Sequence, residues 1–324
     1  MKGREICQQF YQVVGEPAIA ERVPQSLGRL AVGLHGGSQA HGNDDEMSRD
    51  HAWGPGFDVW LCKRDYRQHG AGIQEALDQL PREFLGFSWP DNRKRTCVVL
   101  ELDEYMASLI GFAHPPDKPI DWLRIPEEYL YEVTPQRIFF DRPGVVTQRF
   151  MQFSYYPEDV WYKRLITWVS WVAEWGEKHL LRAWKRGEYL TAKMYCAHFA
   201  AAVMRTTFLL NRRYAPYEKW LHREFLSLPR MSSGLDPLLC SLMDGLEPYR
   251  PVKQIVELIA GELRAIGIDP IPTDRLAVYP SILRDFARGI RTLIADESVA
   301  SMHTYADLSL PPTRDTWTRV ISAR

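Results

Sequence analysis

Residues 29–62 read RLAVGLHGGSQAHGNDDEMSRDHAWGPGFDVWLC and contain the two clearest strand patterns of the chain. The apolar run over residues 29–34 is typical of a buried strand, and His35-Gly36-Gly37 after it is typical of a turn. A second strand is predicted over residues 57–62, directly after the breakers Gly54-Pro55-Gly56. These strands predict a mixed α/β first half. The loop between the two strands holds the densest group of candidate functional side chains.

The remaining pattern predicts an α+β protein: a mixed sheet with flanking helices over residues 1–145, followed by a helical bundle over residues 146–324. The boundary is predicted at the turn Asp141-Arg142-Pro143-Gly144, because apolar residues beyond about residue 157 recur at helical spacing. Further strands are predicted over 95–102 and 137–140, and helices over 4–14, 72–87 and 190–212.

Length and charge exclude several classes of protein. The chain has 324 residues with 40 basic and 41 acidic side chains, so its formal net charge is −1. A dedicated binder of duplex DNA carries a basic excess, and we therefore exclude duplex DNA as a partner. No apolar run reaches the roughly 18 residues of a membrane span, so no membrane partner is expected. The 5 widely spaced cysteines predict free thiols without a zinc site, in a cytoplasmic protein of undetermined oligomeric state.

The loop between the two predicted strands combines a glycine turn with a carboxylate at a set spacing. Gly37 and Ser38 offer backbone amides and a small side chain to a phosphate, and eleven residues lie between Ser38 and Asp50. Proteins commonly hold Mg²⁺ through one or two carboxylates plus the phosphates of a substrate. Asp50 is therefore a candidate metal ligand, whereas Asp44-Asp45-Glu46 is interpreted as a solvated acidic loop.

The turn followed by the spaced acid resembles the signature of the nucleotidyltransferase superfamily, in which a strand, a turn and a helix hold a triphosphate. A closer resemblance is to a bacterial family, domain of unknown function 4037. It is carried by DDEMSRDH at 44–51, GPGF at 54–57 and RYAPYEKW at 213–220, and extends through DWL at 121–123, Arg149 and PEDVW at 157–161. The resemblance covers about residues 30–300 and implies a nucleotidyltransferase-like sheet followed by a helical substrate-binding domain.

This chain departs from the superfamily pattern at a metal-binding acid. The pattern places two acids on one strand with one residue between them, and relatives read Ser-Arg-Asp-His-Asp, whereas this chain has Asp50, His51 and Ala52. Loss of one carboxylate weakens the clamping of two metal ions. Asp58 in the following strand is the candidate for the missing ligand, so Asp50 and Asp58 form the expected metal pair.

Further catalytic candidates flank these acids. The resemblance implies a third acid as general base, expected at Glu101 or Asp103, which share one strand face by their spacing; a solvated strand end is the alternative. His51 is a candidate metal ligand or proton shuttle because histidine titrates near neutral pH, or else it bonds the turn. Arg49 adjoins the acids, where it would pair with Asp45 or reach a phosphate.

In the helical half, the candidate nucleotide contacts are Arg213, Tyr217 and Lys219. Cations hold phosphates and aromatic rings stack on bases, so a junction rich in both favours a substrate platform. The alternative is a corner between helices that is locked by aromatic packing.

The resemblance and these residues predict a nucleotidyltransferase dependent on Mg²⁺ or Mn²⁺. It would transfer a nucleoside monophosphate from a nucleoside triphosphate to the hydroxyl of an unidentified acceptor, with Gly37 and Ser38 cradling the phosphates. The alternative is a catalytically degenerate module of the same fold that binds nucleotide or a partner protein, a hypothesis that Ala52 motivates.

Overall fold

The computed structural model describes residues 1–34, 36–50, 53–89, 96–134, 137–245, 247–272 and 280–305, with the backbone alone for Asp50. About 60% of the chain is helical, and the larger sheet is mixed and four-stranded, so the architecture is α+β as predicted. Contacts group the chain into two compact units. The first comprises Met1–Pro116 and Tyr129–Ser154, and the second comprises Asp117–Glu128 and Tyr155–Ser309.

The first unit is built around the four-stranded sheet. The strands are β1 (Leu30–Gly33), β2 (Asp58–Leu61), β3 (Glu83–Phe84), β4 (Phe87–Ser88), β5 (Val98–Glu101) and β6 (Ile138–Asp141). The sheet order is β5-β2-β1-β6, in which β1 runs antiparallel to β2 and β6, and β2 runs parallel to β5. Gly33 lies opposite Asp58 in the register. The end of β1 and the starts of β2 and β6 therefore meet at one edge of the sheet.

Helices cover both faces of this sheet, which explains why its strands are continuously apolar. The helices up to this point of the chain are α1 (Gly3–Phe10), α2 (Glu16–Arg22), α3 (Lys63–Leu77), α4 (Leu102–Ile110), α5 (Pro119–Trp122), α6 (Glu127–Glu132) and α7 (Val145–Met151). On one face Val32 and Val59 belong to a core cluster that includes Ile73 of α3. On the other face Trp60 packs edge-on against Phe150 of α7, at 6.1 Å between ring centroids.

The prediction of a helix over residues 72–87 is wrong for the second half of that range. α3 begins at Lys63 and ends at Leu77, and a short hairpin of β3 and β4 follows. The hairpin turns at Leu85 and Gly86, whose φ angles are 53° and 77°. Two consecutive left-handed residues are the requirement of a tight two-residue hairpin turn. The apolar residues before the turn have a spacing that suits a helix equally well, so spacing did not separate the two structures.

The second unit is helical. Its further helices are α8 (Glu158–Val172), α9 (Leu181–Lys185), α10 (Tyr189–Leu210), α11 (Glu218–Leu226), α12 (Ser232–Asp244), α13 (Tyr249–Ala265), α14 (Ile282–Arg291) and α15 (Glu297–Ala300). The long helix predicted over 190–212 is confirmed by α10. A π-helical segment, Ala173–Leu180, joins α8 to α9. There Gly176 allows close approach to α10, because an added Cβ would lie 2.2 Å from the ring of Phe199.

The division into units differs from the predicted boundary after residue 145 in two places. Residues 146–154 belong to the first unit, and residues 117–128 belong to the second. The chain therefore leaves the first unit, returns to it and leaves it again. None of the helices in the described ranges combines the length and the apolar character needed to cross a lipid bilayer.

Candidate functional site

The glycine-rich turn follows the end of β1. Backbone hydrogen bonds close it: the Ala40 N–H donates to the Gly37 oxygen at 3.1 Å, and the Asn43 N–H donates to the Ser38 oxygen at 2.9 Å. Gly37 has a φ of 87°, a left-handed conformation that favours glycine. Among the described residues, no atom lies within 4 Å of a Cβ added to Gly37. The backbone at Gly37 is therefore accessible to a ligand.

Asp58 lies at the same edge of the sheet because it is the first residue of β2 and pairs with Gly33. Its side chain is fully buried, and so is that of Arg137, which precedes β6. Burial lowers the pKa of Arg137 to about 10, while the nearby groups of Tyr105, Tyr131 and Asp58 act to raise it. Asp58 thus lies within electrostatic range of a buried cation.

Arg137 links Asp58 to the glycine turn. Its Nη2 donates to His41 Nε2 at 2.8 Å, and its guanidinium forms an ion pair with Glu132. Glu132 lies beside the glycine turn, since its Oε2 would be 3.4 Å from a Cβ added to Gly36. We refer to Asp58, Arg137, His41 and Glu132 as the Arg137 cluster. This cluster places two acids and one cation behind the turn.

His41 is held neutral within this cluster. Burial keeps the pKa of His41 well below its ordinary value of 6.5, and the charges of Arg137 and Arg4 lower it further. A guanidinium has donors but no acceptor, so the neutral ring accepts from Arg137 through Nε2. The ring also stacks on Tyr131, with centroids 4.3 Å apart. His41 is therefore a fixed acceptor whose ring stays uncharged near neutral pH.

Only part of the acidic segment at residues 44–46 is exposed to solvent. Asp44 is buried, and its Oδ2 accepts from the Gly3 N–H at 2.8 Å and from Trp53 Nε1 at 2.9 Å. Gly3 is the first residue of α1, so this carboxylate also interacts favourably with the positive end of the helix. Asp45 accepts from the Ser48 N–H at 3.1 Å and caps a short 3₁₀ helix. The predicted solvated loop is wrong for Asp44, which ties α1 to the loop.

Asp50, the first predicted metal ligand, is the last residue of that 3₁₀ helix, which spans Glu46–Asp50. The side chain of Asp50 and the whole of His51 lie outside the described residues, so their roles stay predictions. Arg49 is exposed, and its guanidinium lies 5.1 Å from the ring centroid of Trp53 and 5.7 Å from that of Phe87. These distances describe cation–π packing against two aromatic rings.

Glu101 lies at the other end of the strands from Asp58. In the parallel pairing of β2 with β5, Glu101 is beside Leu61, the last residue of β2. Three residues of strand, or about 10 Å at 3.3 Å each, separate the two acids along the sheet. The Glu101 carboxylate accepts from the N–H groups of Asp103 at 3.1 Å and Glu104 at 3.0 Å. It is the cap that starts α4.

Asp103 is in the first turn of α4 and is therefore not a strand residue. Its carboxylate forms an ion pair with Arg149 Nη1 at 2.6 Å. The prediction that Glu101 and Asp103 share one strand face is wrong, because β5 ends where its last side chain caps the helix. Neither acid lies at the edge that carries Asp58 and the glycine turn.

The candidates of the second unit lie around the start of α11. Tyr217 precedes the helix and is 57% exposed. The Lys219 ammonium lies 5.0 Å from the ring centroid of Trp220, and Arg213 Nη2 lies 3.7 Å from Glu224. Tyr217 is thus available to a ligand, while both cations are engaged with neighbouring side chains.

The chain just before α11 is held by aromatic packing. Tyr214 is buried and contacts the rings of Tyr155 and Tyr156, with centroids 5.2 Å and 4.8 Å apart. Arg212 forms a bidentate pair with Glu158, in which both distances are 2.8 Å. These contacts support the interpretation of this junction as a packed corner.

The expected metal pair lies partly outside the described residues, because only the backbone of Asp50 is described. Within the described ranges, no group of three or more His, Cys, Asp or Glu side chains is arranged to hold a metal ion. Asp58 is fully buried, and its charge acts on the buried Arg137. Its role as second metal ligand stays a prediction.

Sequence reasoning missed Arg137 and Glu132. The signal for Arg137 was present, since Asp58 and Arg137 stand at or just before the starts of two strands, β2 and β6. Both strands are antiparallel to β1, so their starts flank its end. An acid and a cation in those positions are brought near each other, but this follows only once the strand order is known.

Comparison with known protein families finds a match in the middle of the chain. Residues 122–221 match the model of a family described as Domain of unknown function (DUF4037). The match covers about a third of the chain, from the end of α5 into α11, and supports similarity to that family over this stretch. Gly37 and Asp50 lie outside it. No curated protein and no solved structure match the chain.

Proposed function

We propose that the first unit binds a nucleoside triphosphate at the turn Gly36–Ser38 and is a nucleotide-binding module of the nucleotidyltransferase type. One observation carries the proposal: the backbone of Gly37 is left-handed and open, next to the edge where β1 ends and β2 begins. Backbone amides in such a turn form a concave site for phosphate oxygens.

The charges behind the turn are compatible with this ligand. Glu132 pairs with Arg137, the charge of Asp58 acts on the same guanidinium, and the charge of Arg4 acts on the neighbouring His41. A triphosphate approaching Gly37 therefore meets a nearly neutral wall rather than two uncompensated acids. Phosphate binding would rest on the amides of the turn and on the hydroxyl of Ser38.

Transfer of the nucleotide is the second candidate function. The spacing from Ser38 to Asp50 favours it, because that spacing resembles the metal-binding signature of the superfamily. Two observations favour binding without transfer: Ala52 replaces the second acid, and Glu101 lies at the far edge of the sheet. For this reason we place binding first.

Thermal unfolding with each of the four nucleoside triphosphates and Mg²⁺ tests the binding proposal. A ligand at 100 times its dissociation constant adds about 2.7 kcal/mol to the unfolding free energy, and the midpoint rises accordingly. We expect Gly37→Ala to abolish this rise, because the added methyl group stands where the phosphate approaches.

Gly42→Ala is the matched control. Gly42 is also left-handed, with a φ of 72°, and no atom of the described residues lies within 4 Å of a Cβ added there. Both variants therefore place a side chain on a left-handed residue, and only Gly37→Ala should lose nucleotide binding. Equal loss in both variants, or no midpoint rise with any of the four nucleotides, would refute the proposal.

Release of pyrophosphate separates binding from transfer. We expect nucleotide to raise the unfolding midpoint of the native chain without pyrophosphate release, in the presence of cell extract as a source of acceptors. Ala52→Asp restores the superfamily acid, and pyrophosphate release in that variant would show that this carboxylate is the missing element. Release by the native chain that Asp50→Asn abolishes would instead favour the transferase.

A further inference from the structure

A small cavity of the second unit opens beside the start of α10. Its volume is about 70 Å³. Trp184 and Tyr189, which flank the turn after α9, line it, and their rings pack edge-on with centroids 4.9 Å apart. Leu242 and Pro248, which flank the turn after α12, line it as well. An engineered cavity of about 150 Å³ holds benzene, so about half that volume suits a branched aliphatic side chain.

Exposed apolar side chains lie around this cavity. Leu190 is 79% exposed, and Met194 follows it at the spacing that places both on one face of α10. Met243 of α12 borders α10, since its Sδ lies 3.3 Å from the Sγ of Cys196, which lines the cavity. The apolar patch is the name we give to Tyr189, Leu190, Met194, Met243 and Tyr249. Clustered apolar surface of this kind marks a site of interaction.

The charges on the two sides of the apolar patch have opposite signs. Those around the turn after α9, the basic turn, are Lys185, Arg186 and Glu188. Those around the turn after α12, the acidic turn, are Asp244, Glu247 and Arg250. All of them are exposed, and the net charges are 2 − 1 = +1 and 1 − 2 = −1. The cavity lies between the two turns, because residues that flank each of them line it.

Lys193 also lines the cavity, and its charge is already held by α12. Its amine donates to the carbonyl oxygen of Met243, one residue before the end of α12. The C-terminal end of a helix is its negative end, so the ammonium is stabilised within its own chain. The centre of the apolar patch therefore does not require an acid from a partner.

We propose that this face joins two copies of the chain across a two-fold axis. In such a pair the same patch of both copies is used, and each contact between two different residues occurs twice. With the axis between the two turns, the basic turn of one copy faces the acidic turn of the other. Leu190 of each copy enters the cavity of the other copy. A partner with a single sign of charge fits less well, because one of the two turns repels it.

Sedimentation equilibrium of the purified chain tests the proposal. We expect the average mass to rise from 37.6 kDa toward twice that value as the concentration increases from about 1 to about 100 µM. Leu190→Glu should raise the dimer dissociation constant about a hundredfold, because it places a charge in an apolar cavity of both copies. Leu226→Glu, at an exposed leucine of α11, is the control and should leave the constant unchanged. Both leucines are exposed, so we expect the thermal unfolding midpoints of the two variants, at a concentration where the native chain is monomeric, to match that of the native chain.

Charge reversal tests the two-fold arrangement itself. Lys185→Glu with Arg186→Glu makes both turns acidic, whereas Asp244→Lys removes the negative excess of the other turn and makes both turns basic. Each of these variants alone should associate about tenfold more weakly than the native chain. In an equimolar mixture, opposite charges meet at both contacts, so we expect mixed dimers with near-native affinity, measured by native mass spectrometry. Glu247 is kept, because its carboxylate accepts from the Tyr249 N–H at 2.6 Å.

Four results would overturn the proposal. The first is a native chain that stays at the monomer mass at about 100 µM. The second is equal weakening of association by Leu190→Glu and Leu226→Glu. The third is a mixture of the two charge variants that forms no mixed dimer. The fourth is a series of masses above that of the dimer, which would show a head-to-tail contact between different surfaces.

Discussion

At the scale of single residues, Arg137 is the side chain around which three others of the first unit are grouped. Its guanidinium is fully buried, pairs with Glu132, donates to His41 and lies near Asp58. A buried cation is tolerated only when such partners replace its water. The cluster therefore holds the starts of β2 and β6 and the loop after β1 in one arrangement.

Replacement of this cation should be among the more costly changes in the first unit. Arg137→Met leaves Asp58 and Glu132 without their buried counter-charge, and we expect the free energy of unfolding to fall by about 3–5 kcal/mol. Urea denaturation of the purified protein measures the change. Arg142→Met is the control, because Arg142 is exposed in the turn after β6. A loss below about 1 kcal/mol for Arg137→Met would contradict the cluster's structural role.

His41 should make the stability depend on pH. Its pKa in the folded chain is held well below 6.5, so the unfolded chain binds a proton there that the folded chain does not. Unfolding free energy therefore falls as the pH drops below about 6.5, by at most about 1.4 kcal/mol between pH 7.5 and pH 5.5. His41→Gln should reduce the measured difference by that amount.

At the scale of elements, the start of α4 rests on the side chain of Glu101. Glu101→Ala removes a cap that accepts from two backbone amides, and we expect a loss of about 1 kcal/mol in urea denaturation. Glu104→Ala changes an exposed acid of the same helix and should cost less. Nucleotide binding at the glycine turn should be the same in both variants. Loss of binding in Glu101→Ala alone would restore this acid as a catalytic candidate.

The π-helical segment joining α8 to α9 depends on a glycine. Gly176→Ala would place a methyl group 2.2 Å from the ring of Phe199, and overpacking of this kind costs about 1–3 kcal/mol. Gly261→Ala in α13 meets open space and should instead stabilise the protein by up to about 1 kcal/mol. Thermal unfolding of both variants measures whether the midpoint falls for Gly176→Ala and rises for Gly261→Ala. In the double variant with Phe199→Leu, part of the loss at Gly176 should be recovered.

The elements themselves could largely be predicted from apolar patterning, whereas the site could not. The runs at 29–34 and 57–62 predicted β1 and β2 closely, because a strand buried on both faces is apolar throughout. Strand order depends on contacts far apart in sequence, so the proximity of Asp58 to Arg137 could not be predicted from the sequence. At Glu101, spacing alone does not distinguish a strand residue from the cap of the next helix.

At the scale of the whole molecule, the path of the chain decides where it can be divided. A chain that ends at residue 145 lacks α7, whose Phe150 is fully buried against Trp60. We expect a chain ending at residue 154 to be more stable than one ending at 145 by about 3–5 kcal/mol, as for removal of a buried aromatic ring. Circular dichroism during heating measures both midpoints. Equal midpoints would support the boundary that the sequence predicts.

The strand order has a consequence for synthesis on the ribosome. β1 is complete at Gly33, yet its partner β6 ends at Asp141, more than a hundred residues later. At translation rates of about 5–20 residues per second, one edge of β1 waits on the order of 5–20 seconds for its neighbour. An apolar strand with an open edge during that interval is a target for chaperones and for misassembly between nascent chains. Slowing or speeding elongation between codons 34 and 141 should therefore change the yield of folded protein without any change in its sequence.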